Sequence, residues 1–329
     1  MAAARGKGFI QRRASDYEEA CFQLAGARVD WLWIPITIGA ALFQNVRTAL
    51  QKHLTGRLST YGATFTRFVY GLPLAFGYVL LLNQGFGLHI PQTDLVFLCW
   101  VVLGGVCQIL ATGALLACFK QRNFAVGTAL SKSEVVQAAI FALVFLGERV
   151  TALGIAAIAL GTVGVMLIAV EKGQLGVKGL IAGLKGRAAL LGLASGALFA
   201  ISSVAFRGAA LQTGHESFLM AAGWTLLASI LLQTLLLGVW LHRREPGELG
   251  RVFANWRIAG LVGVTGVLGS ACWFTAMTIQ QVAYVRTLGM IELVFTFLVS
   301  TLVFHERHSA RETLGILLLI GGILLVLNR

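Results

Sequence analysis

The feature that most constrains this chain is a recurrence. Ten apolar runs of about 20 residues follow one another, each long enough at ~1.5 Å per residue to cross ~30 Å of hydrocarbon. They fall at roughly 31–51, 60–82, 94–118, 123–146, 150–170, 188–210, 216–241, 256–279, 282–304 and 312–328, and are called spans 1 to 10 below. Of the 329 residues, 57% are hydrophobic and 12% charged, and the mean hydropathy is +0.81. Those values exclude a disordered chain and predict an all-α polytopic membrane protein.

The net charge of +12 raises the question of nucleic acid. The basic residues are scattered over the N-terminal stretch, the short loops and a few span interiors, with no clustered patch, so nucleic acid is not an expected partner. Loops solvated at the lipid headgroups account for them. The five cysteines (Cys21, Cys99, Cys107, Cys118, Cys272) form no CxxC pair and read as small packing residues. Residues 1–30 carry mixed charges and no apolar core of a signal peptide, which predicts a polar tail.

Span 4 and its flanks read TALSKSEVVQAAIFALVFLGERV, with Lys132 and Glu134 inside. A charge at bilayer depth costs roughly 2.5–3.5 kcal/mol on insertion scales, so such residues are expected to face a protein interior or a watery cavity. A shift of 158 lays 125–149 on 283–307, with identities at Ala125/Ala283, Leu130/Leu288, Glu134/Glu292, Val136/Val294, Glu148/Glu306 and Arg149/Arg307. Three of these six are charged residues in apolar surroundings, which shared composition does not explain. The chain therefore divides into a tail (1–30), a first five-span repeat (31–170), a connecting loop (171–187) and a second five-span repeat (188–329). Five is odd, so the second repeat enters the membrane from the opposite side. Inverted repeats of this kind recur in secondary transporters, whose substrate sites lie near the midplane where the halves meet.

The segments SEVVQAAIFALVFLGE and IELVFTFLVSTLVFHE resemble the paired signature of the EamA-type drug/metabolite transporter superfamily: Leu-Glu-Pro-Val, an apolar run, then Leu-Gly-Glu. Glu134 and Glu292 match its first acid, Glu148 and Glu306 its last. The resemblance covers residues 31–328. It implies two inverted five-helix repeats and a carrier in a bacterial inner membrane with both termini cytoplasmic. It does not imply a substrate. The family's proline is Val135 in one copy and Leu293 in the other, which predicts weaker kinks, and the second copy reads Phe-His-Glu for Leu-Gly-Glu.

Let the terminal face be the side from which span 1 starts and the distal face the other. Arg47 then lies near the distal end of span 1, Arg67 about 10 Å and Lys132 about 12 Å in from the distal face, and Arg286 about 6 Å in from the terminal face. Glu134 and Glu292 fall near the middle. At about 100° per residue, Ser131, Glu134 and Gln137 share a face, whereas Lys132 is about 200° from Glu134 and cannot pair with it. Gln44, Arg47 and Gln51 form a stripe that should face the bundle interior. Two roles are open for Glu134: neutralising Arg67 or Arg47 across helices, or serving a transport cavity.

Four basic residues (Arg47, Arg67, Lys132, Arg286) face two acids (Glu134, Glu292), leaving two positive charges over. Arginine binds carboxylate or phosphate with paired donors, so the expected substrate bears an anionic group, such as an amino or organic acid. Proton exchange at the two acids and facilitated exchange without protons are both compatible with the sequence. Trp224 and Trp273 lie too deep for the interfacial belt that accommodates Trp31, Trp33 and Tyr284, and each is either core or cavity lining. Gly260, Gly263, Gly266 and Gly269, three apart in span 8, allow close helix packing. Glu148-Arg149 and Glu306-Arg307, with Thr151 and Ser309 after them, read as capping and loop pairs at the starts of spans 5 and 10.

No GxxxxGK[ST], HExxH or GxSxG occurs, so no enzyme, metal site or cofactor is expected. The expected function is alternating-access transport of a small polar metabolite, with the lipid bilayer as the other partner. The alternatives are a multidrug or cation exporter and a non-transporting scaffold or channel. The candidate substrate-binding residues are Gln44, Arg47, Arg67, Lys132, Glu134, Gln137, Trp224, Trp273, Arg286 and Glu292. One conflict stands: loops on the distal face hold more Lys and Arg than those on the terminal face, which by the positive-inside rule would put the distal face in the cytoplasm. The sequence carries no signal for oligomeric state.

Overall fold

A computed structural model describes residues 31–51, 53–119, 130–172, 186–302, 305 and 309–328. The tail, residues 173–185 of the connecting loop, Cys21 and the Glu306-Arg307 pair lie outside these residues. Within them the chain is all helix and turn. The elements are α1 (31–51), α2 (Thr60–Val69), α3 (Leu72–Leu80, continued by a π-turn, Leu81–Gly85), α4 (Leu95–Phe119), α5 (Glu134–Leu146) and α6 (Ala152–Lys172) in the first half. The second half comprises α7 (Arg187–Gln212), α8 (Phe218–Arg244), the short α9 (Glu248–Ala254), α10 (Trp256–Ile279), α11 (Val282–Gly289), α12 (Ile291–Leu302) and α13 (Ala310–Leu327). Among the described residues six helices are long and apolar enough to cross a membrane, and Glu134–Leu146 and Ala152–Ile168 are shorter apolar helices. This is the all-α, two-repeat membrane architecture, with about ten spans.

Local chemistry sets the ends of these helices. Ser59 caps α2 by accepting the Gly62 amide at 2.9 Å, and the start of that helix is held further by the Ser59 amide donating to Glu248 Oε1 at 2.6 Å. Pro73 in the first turn of α3 removes a backbone donor and separates α3 from α2. Gly147 ends α5 in the left-handed conformation at φ 69°. Ser309 and Glu312 form a reciprocal capping box on α13.

The halves interlock rather than sit side by side. α4 packs along α7, and α6 packs along α13. The α6–α13 crossing depends on bare backbone: a Cβ on Gly164 would lie 2.5 Å from the Gly315 carbonyl oxygen, and one on Gly322 2.8 Å from that of Ala157. With lipid tails as apolar as the side chains, close approach of this kind drives the association.

Spans 4 and 9 are interrupted at repeat-related places. In span 4 the helix breaks at Lys132–Ser133, and α5 restarts at Glu134; in span 9 it breaks at Met290, and α12 restarts at Ile291 with Glu292 in its first turn. Tight i→i−3 bonds mark both breaks: Ser133 N to Leu130 O at 3.1 Å and Met290 N to Thr287 O at 3.2 Å. The loss of the family proline predicts weaker kinks, yet both interruptions are present. At the first, the Ser133 hydroxyl donates to Leu130 O at 2.6 Å and accepts from Gln137 Nε2 at 2.7 Å, so a side chain diverts the ladder without proline. Each break sets an acid at the positive end of a half-helix near the midplane.

Two belt assignments are corrected. Trp31 is 63% exposed as expected, but Trp33 (3%) and Tyr284 (1%) are buried. The Tyr284 hydroxyl accepts the Thr151 amide at 3.0 Å, which draws that ring into the helix packing. Among the described cysteines, Cys107 and Cys118 are buried and none of the four is in a disulfide.

Candidate functional site

Between the halves lies a chamber of about 440 Å³, within the range of small-molecule sites. Its wall draws on α1, α2, α4, α5, α7, α10, α11 and α12, so neither repeat encloses it alone. The centre is built by the two interrupted spans. Lys132 Nζ donates to Glu292 Oε1 at 2.9 Å, and Arg286 Nη1 lies 3.2 Å from Glu134 Oε1. Lys132 of one half and Arg286 of the other therefore each meet the repeat acid of the opposite half. Of the two roles open for Glu134, neutralisation of Arg67 or Arg47 is not the pairing found. The partner is Arg286, because the break at Lys132–Ser133 presents Glu134 to span 9 rather than to spans 1 and 2.

Both pairs are held on several sides. Gln44 Nε2 donates to Glu292 Oε2 at 2.9 Å, while Gln44 Oε1 accepts from Trp273 Nε1 at 3.1 Å. Asn45 Nδ2 reaches the Glu292 carbonyl at 3.5 Å. Arg286 Nε donates to Ser203 Oγ at 3.1 Å, and its guanidinium stacks 4.9 Å from the Trp273 ring centroid. Trp273 itself presses on Gly289, just before the break: a Cβ there would come within 2.3 Å of the ring.

The other two basic residues are differently placed. Arg67 Nη2 donates to Gln108 Oε1 at 3.3 Å, and its guanidinium lies 4.6 Å from the Phe68 centroid. Gln108 in turn accepts from Gln233 Nε2 at 2.7 Å. Arg47 has a buried Nε with no hydrogen-bond partner. Among the described residues neither arginine forms an ion pair. Room for both comes from Gly266, whose bare backbone faces Arg67 Cβ and Arg47 Cδ. Gly263 and Gly269 meet Tyr70 and Phe43 in the same seam, whereas Gly260 faces open space.

The two ends of the chamber differ. Toward the distal face its lining is polar and includes Thr48, Gln51, Thr64 and Thr112. Toward the terminal face it ends on Phe206, Phe274 and Met277, all buried. The Phe206 and Phe274 rings pack with centroids 4.7 Å apart. Beneath them Arg207 pairs with Glu148 and donates to the carbonyls of Met277, Thr278 (3.3 Å) and Gln280 (2.7 Å), closing the C-terminus of α10. Glu148 thus serves a pairing role at the end of span 4. Thr151 starts span 5 by accepting the Gly154 amide at 3.1 Å.

Of the candidate residues, Gln44, Arg47, Arg67, Lys132, Glu134, Trp273, Arg286 and Glu292 line the chamber. Two do not. Trp224 packs in the apolar clusters with Leu82, Met220, Phe97 and Val101, and its Nε1 is buried without a partner. Gln137 turns toward α7, where its amide lies 3.1 Å from the Cβ position of Gly196 and donates back to Ser133 Oγ at 2.7 Å. Sequence reading passed over Gln108, Gln233 and Ser203. The first two were detectable as lone amides in the apolar runs of α4 and α8. Among the described residues no three His, Cys, Asp or Glu side chains gather as a metal site.

Comparison with known proteins adds three findings. The profile of the EamA-like transporter family matches residues 31–170 and 186–328, one match in each half. A protein of known crystal structure aligns over 89% of this chain and 95% of its own with a TM-score of 0.65 and 15% sequence identity, a likeness of fold alone. No curated protein matches the sequence.

Proposed function

The chain belongs to the EamA-like transporter family and is an integral membrane transporter of the drug/metabolite type, and from that premise we propose that it carries a small metabolite with an anionic group by alternating access. The observation that supports this is the unequal treatment of four cations that line the chamber. Lys132 and Arg286 are matched by Glu292 and Glu134 at 2.9 and 3.2 Å. Arg47 and Arg67 line the same chamber without forming an ion pair among the described residues, although the Glu292 charge is felt at Arg47. An uncompensated guanidinium in a low-dielectric site is costly unless it serves a ligand, and its paired donors suit carboxylate or phosphate.

The crossed ion pairs give each half a charged contact at the interface where it must move, and the acids at the half-helix starts fix the electrostatics of the chamber's centre. A cationic drug would meet two arginines that form no ion pair of their own among the described residues, which favours the anionic reading over the exporter of cations. We place both termini in the cytoplasm, following the family arrangement rather than the loop charge.

A thermal-shift screen tests the substrate class. Ligands that bind only the folded state stabilise it by ~2.7 kcal/mol at a hundredfold excess over Kd. Carboxylates or phosphate esters are expected to raise the Tm of the wild type and not of Arg67→Gln. Stabilisation by organic cations alone would reject the proposal.

A further inference from the structure

On the outer surface, between α5 and α6, lies an apolar groove of about 520 Å³. Val136, Ile140 and Leu143, at i, i+4 and i+7, form one wall from α5, and Ile155 and Ile158 form the other from α6. Ile140, Leu143 and Ile155 are 53%, 51% and 60% exposed, while Ile158 is 5% exposed and makes the floor. From Val136 to the end of α5 at Leu146 is about 15 Å, the hydrocarbon depth of one leaflet. The groove therefore runs from the terminal face to the midplane.

Its terminal-face end is charged. Glu148 and Arg149 both line it there. One oxygen of the Glu148 carboxylate is engaged by Arg207, and the other is buried without a hydrogen-bond partner. Arg149 is exposed and has no ion pair among the described residues. The start of α6 at Ala152 follows within one turn, adding the positive end of a helix to the guanidinium.

We infer that this groove seats one acyl chain of an anionic glycerophospholipid from the leaflet at the terminal face, with its phosphate held by Arg149. The apolar walls match an acyl chain in length and chemistry, and the unmatched guanidinium at the headgroup level takes a phosphate through paired donors. A zwitterionic headgroup offsets its own phosphate with a cation and gains less. A water-soluble anion has nothing to place on the walls.

The test uses the full chain in mild detergent, titrated with phosphatidylglycerol or phosphatidylcholine and examined by native mass spectrometry. One phosphatidylglycerol per chain is expected to bind roughly tenfold more tightly than phosphatidylcholine. Arg149→Gln should reduce that preference to nothing, and Ile140→Trp, which fills the groove from an exposed position, should remove retention of both lipids. Arg257→Gln removes a different arginine, 5.6 Å from the Trp256 ring and outside the groove, and should leave binding at the wild-type level. Equal binding of the two lipids, undiminished preference in Arg149→Gln, retention in Ile140→Trp, or an equal loss in Arg257→Gln would each overturn the inference.

Discussion

The two ends of the chamber use the same side chain in opposite ways. At the terminal face Arg207 is tied down: a carboxylate takes its Nε and the carbonyls of Met277, Thr278 and Gln280 take its Nη1 beneath an aromatic floor. Toward the distal face Arg47 leaves a buried Nε without a partner, and Arg67 holds a single amide oxygen at 3.3 Å. A many-bonded arginine closes structure, whereas under-satisfied ones, on the function proposed above, would hold binding capacity for the substrate at the expense of stability in the empty protein. Between them the Lys132–Glu292 and Arg286–Glu134 pairs tie the halves together without altering the net charge.

That contrast can be broken by substitution. The largest effect on stability is expected from Arg207→Met, which leaves Glu148 and three carbonyls without their donor. A loss of about 3–5 kcal/mol, seen as a clear fall in Tm, follows from stranding a buried charge. A Tm within a degree of wild type would mean that the seal is ornamental. Next comes the crossed pair. Lys132→Met and Glu292→Gln should each destabilise, and the double variant should recover part of the loss, with a coupling of about 0.5–3 kcal/mol. Strict additivity would show that the pair does not couple the halves.

Arg47→Gln and Arg67→Gln should change stability little, within about 0.5 kcal/mol or toward greater stability. Each should nevertheless weaken anion binding tenfold or more, since a hydrogen bond to a charged group contributes about 1.5–3 kcal/mol. Destabilisation as large as that of Arg207→Met would erase the distinction between the two ends. The smallest effect is expected at Asp94, which starts α4. The Phe97 amide at 2.7 Å and then the Gln212 side chain hold its carboxyl below the usual carboxylate range. Because the folded value is the lower one, the cap's contribution is present above the ordinary carboxylate pKa and is lost as pH falls through the folded value. Asp94→Ala should therefore lower Tm slightly at neutral pH and make no difference at acid pH. A constant difference across pH would remove the carboxylate's role.

Much of this was legible in the residues. Spans and repeat follow from length, hydropathy and the recurrence of Glu134 at Glu292, since a charge inside an apolar run cannot be neutral to the fold. Partner choice was not legible. Glu134 meets Arg286 and Lys132 meets Glu292 across sequence separations of about 150 residues, and no local periodicity encodes which face of a broken helix turns where. Gln137 does follow Glu134 on the continuous α5, as the periodicity placed it, but its amide is drawn back to Ser133 Oγ beside Gly196, a side-chain choice that helical spacing does not encode. Tyr284 and Trp33 were assigned to a belt from their position near span ends, but burial depends on neighbouring helices. Gln108 and Gln233 escaped because an amide in an apolar run signals less strongly than a charge.

The most direct measurement is uptake into proteoliposomes of an anion found to stabilise the protein, by wild type and by the Arg47→Gln/Arg67→Gln double variant, with Tm recorded for both. The expected result is saturable uptake by the wild type and loss of uptake in a double variant that is at least as thermostable. Undiminished anion uptake by that variant, or uptake of organic cations by both proteins, would contradict the assignment of the two arginines to the substrate.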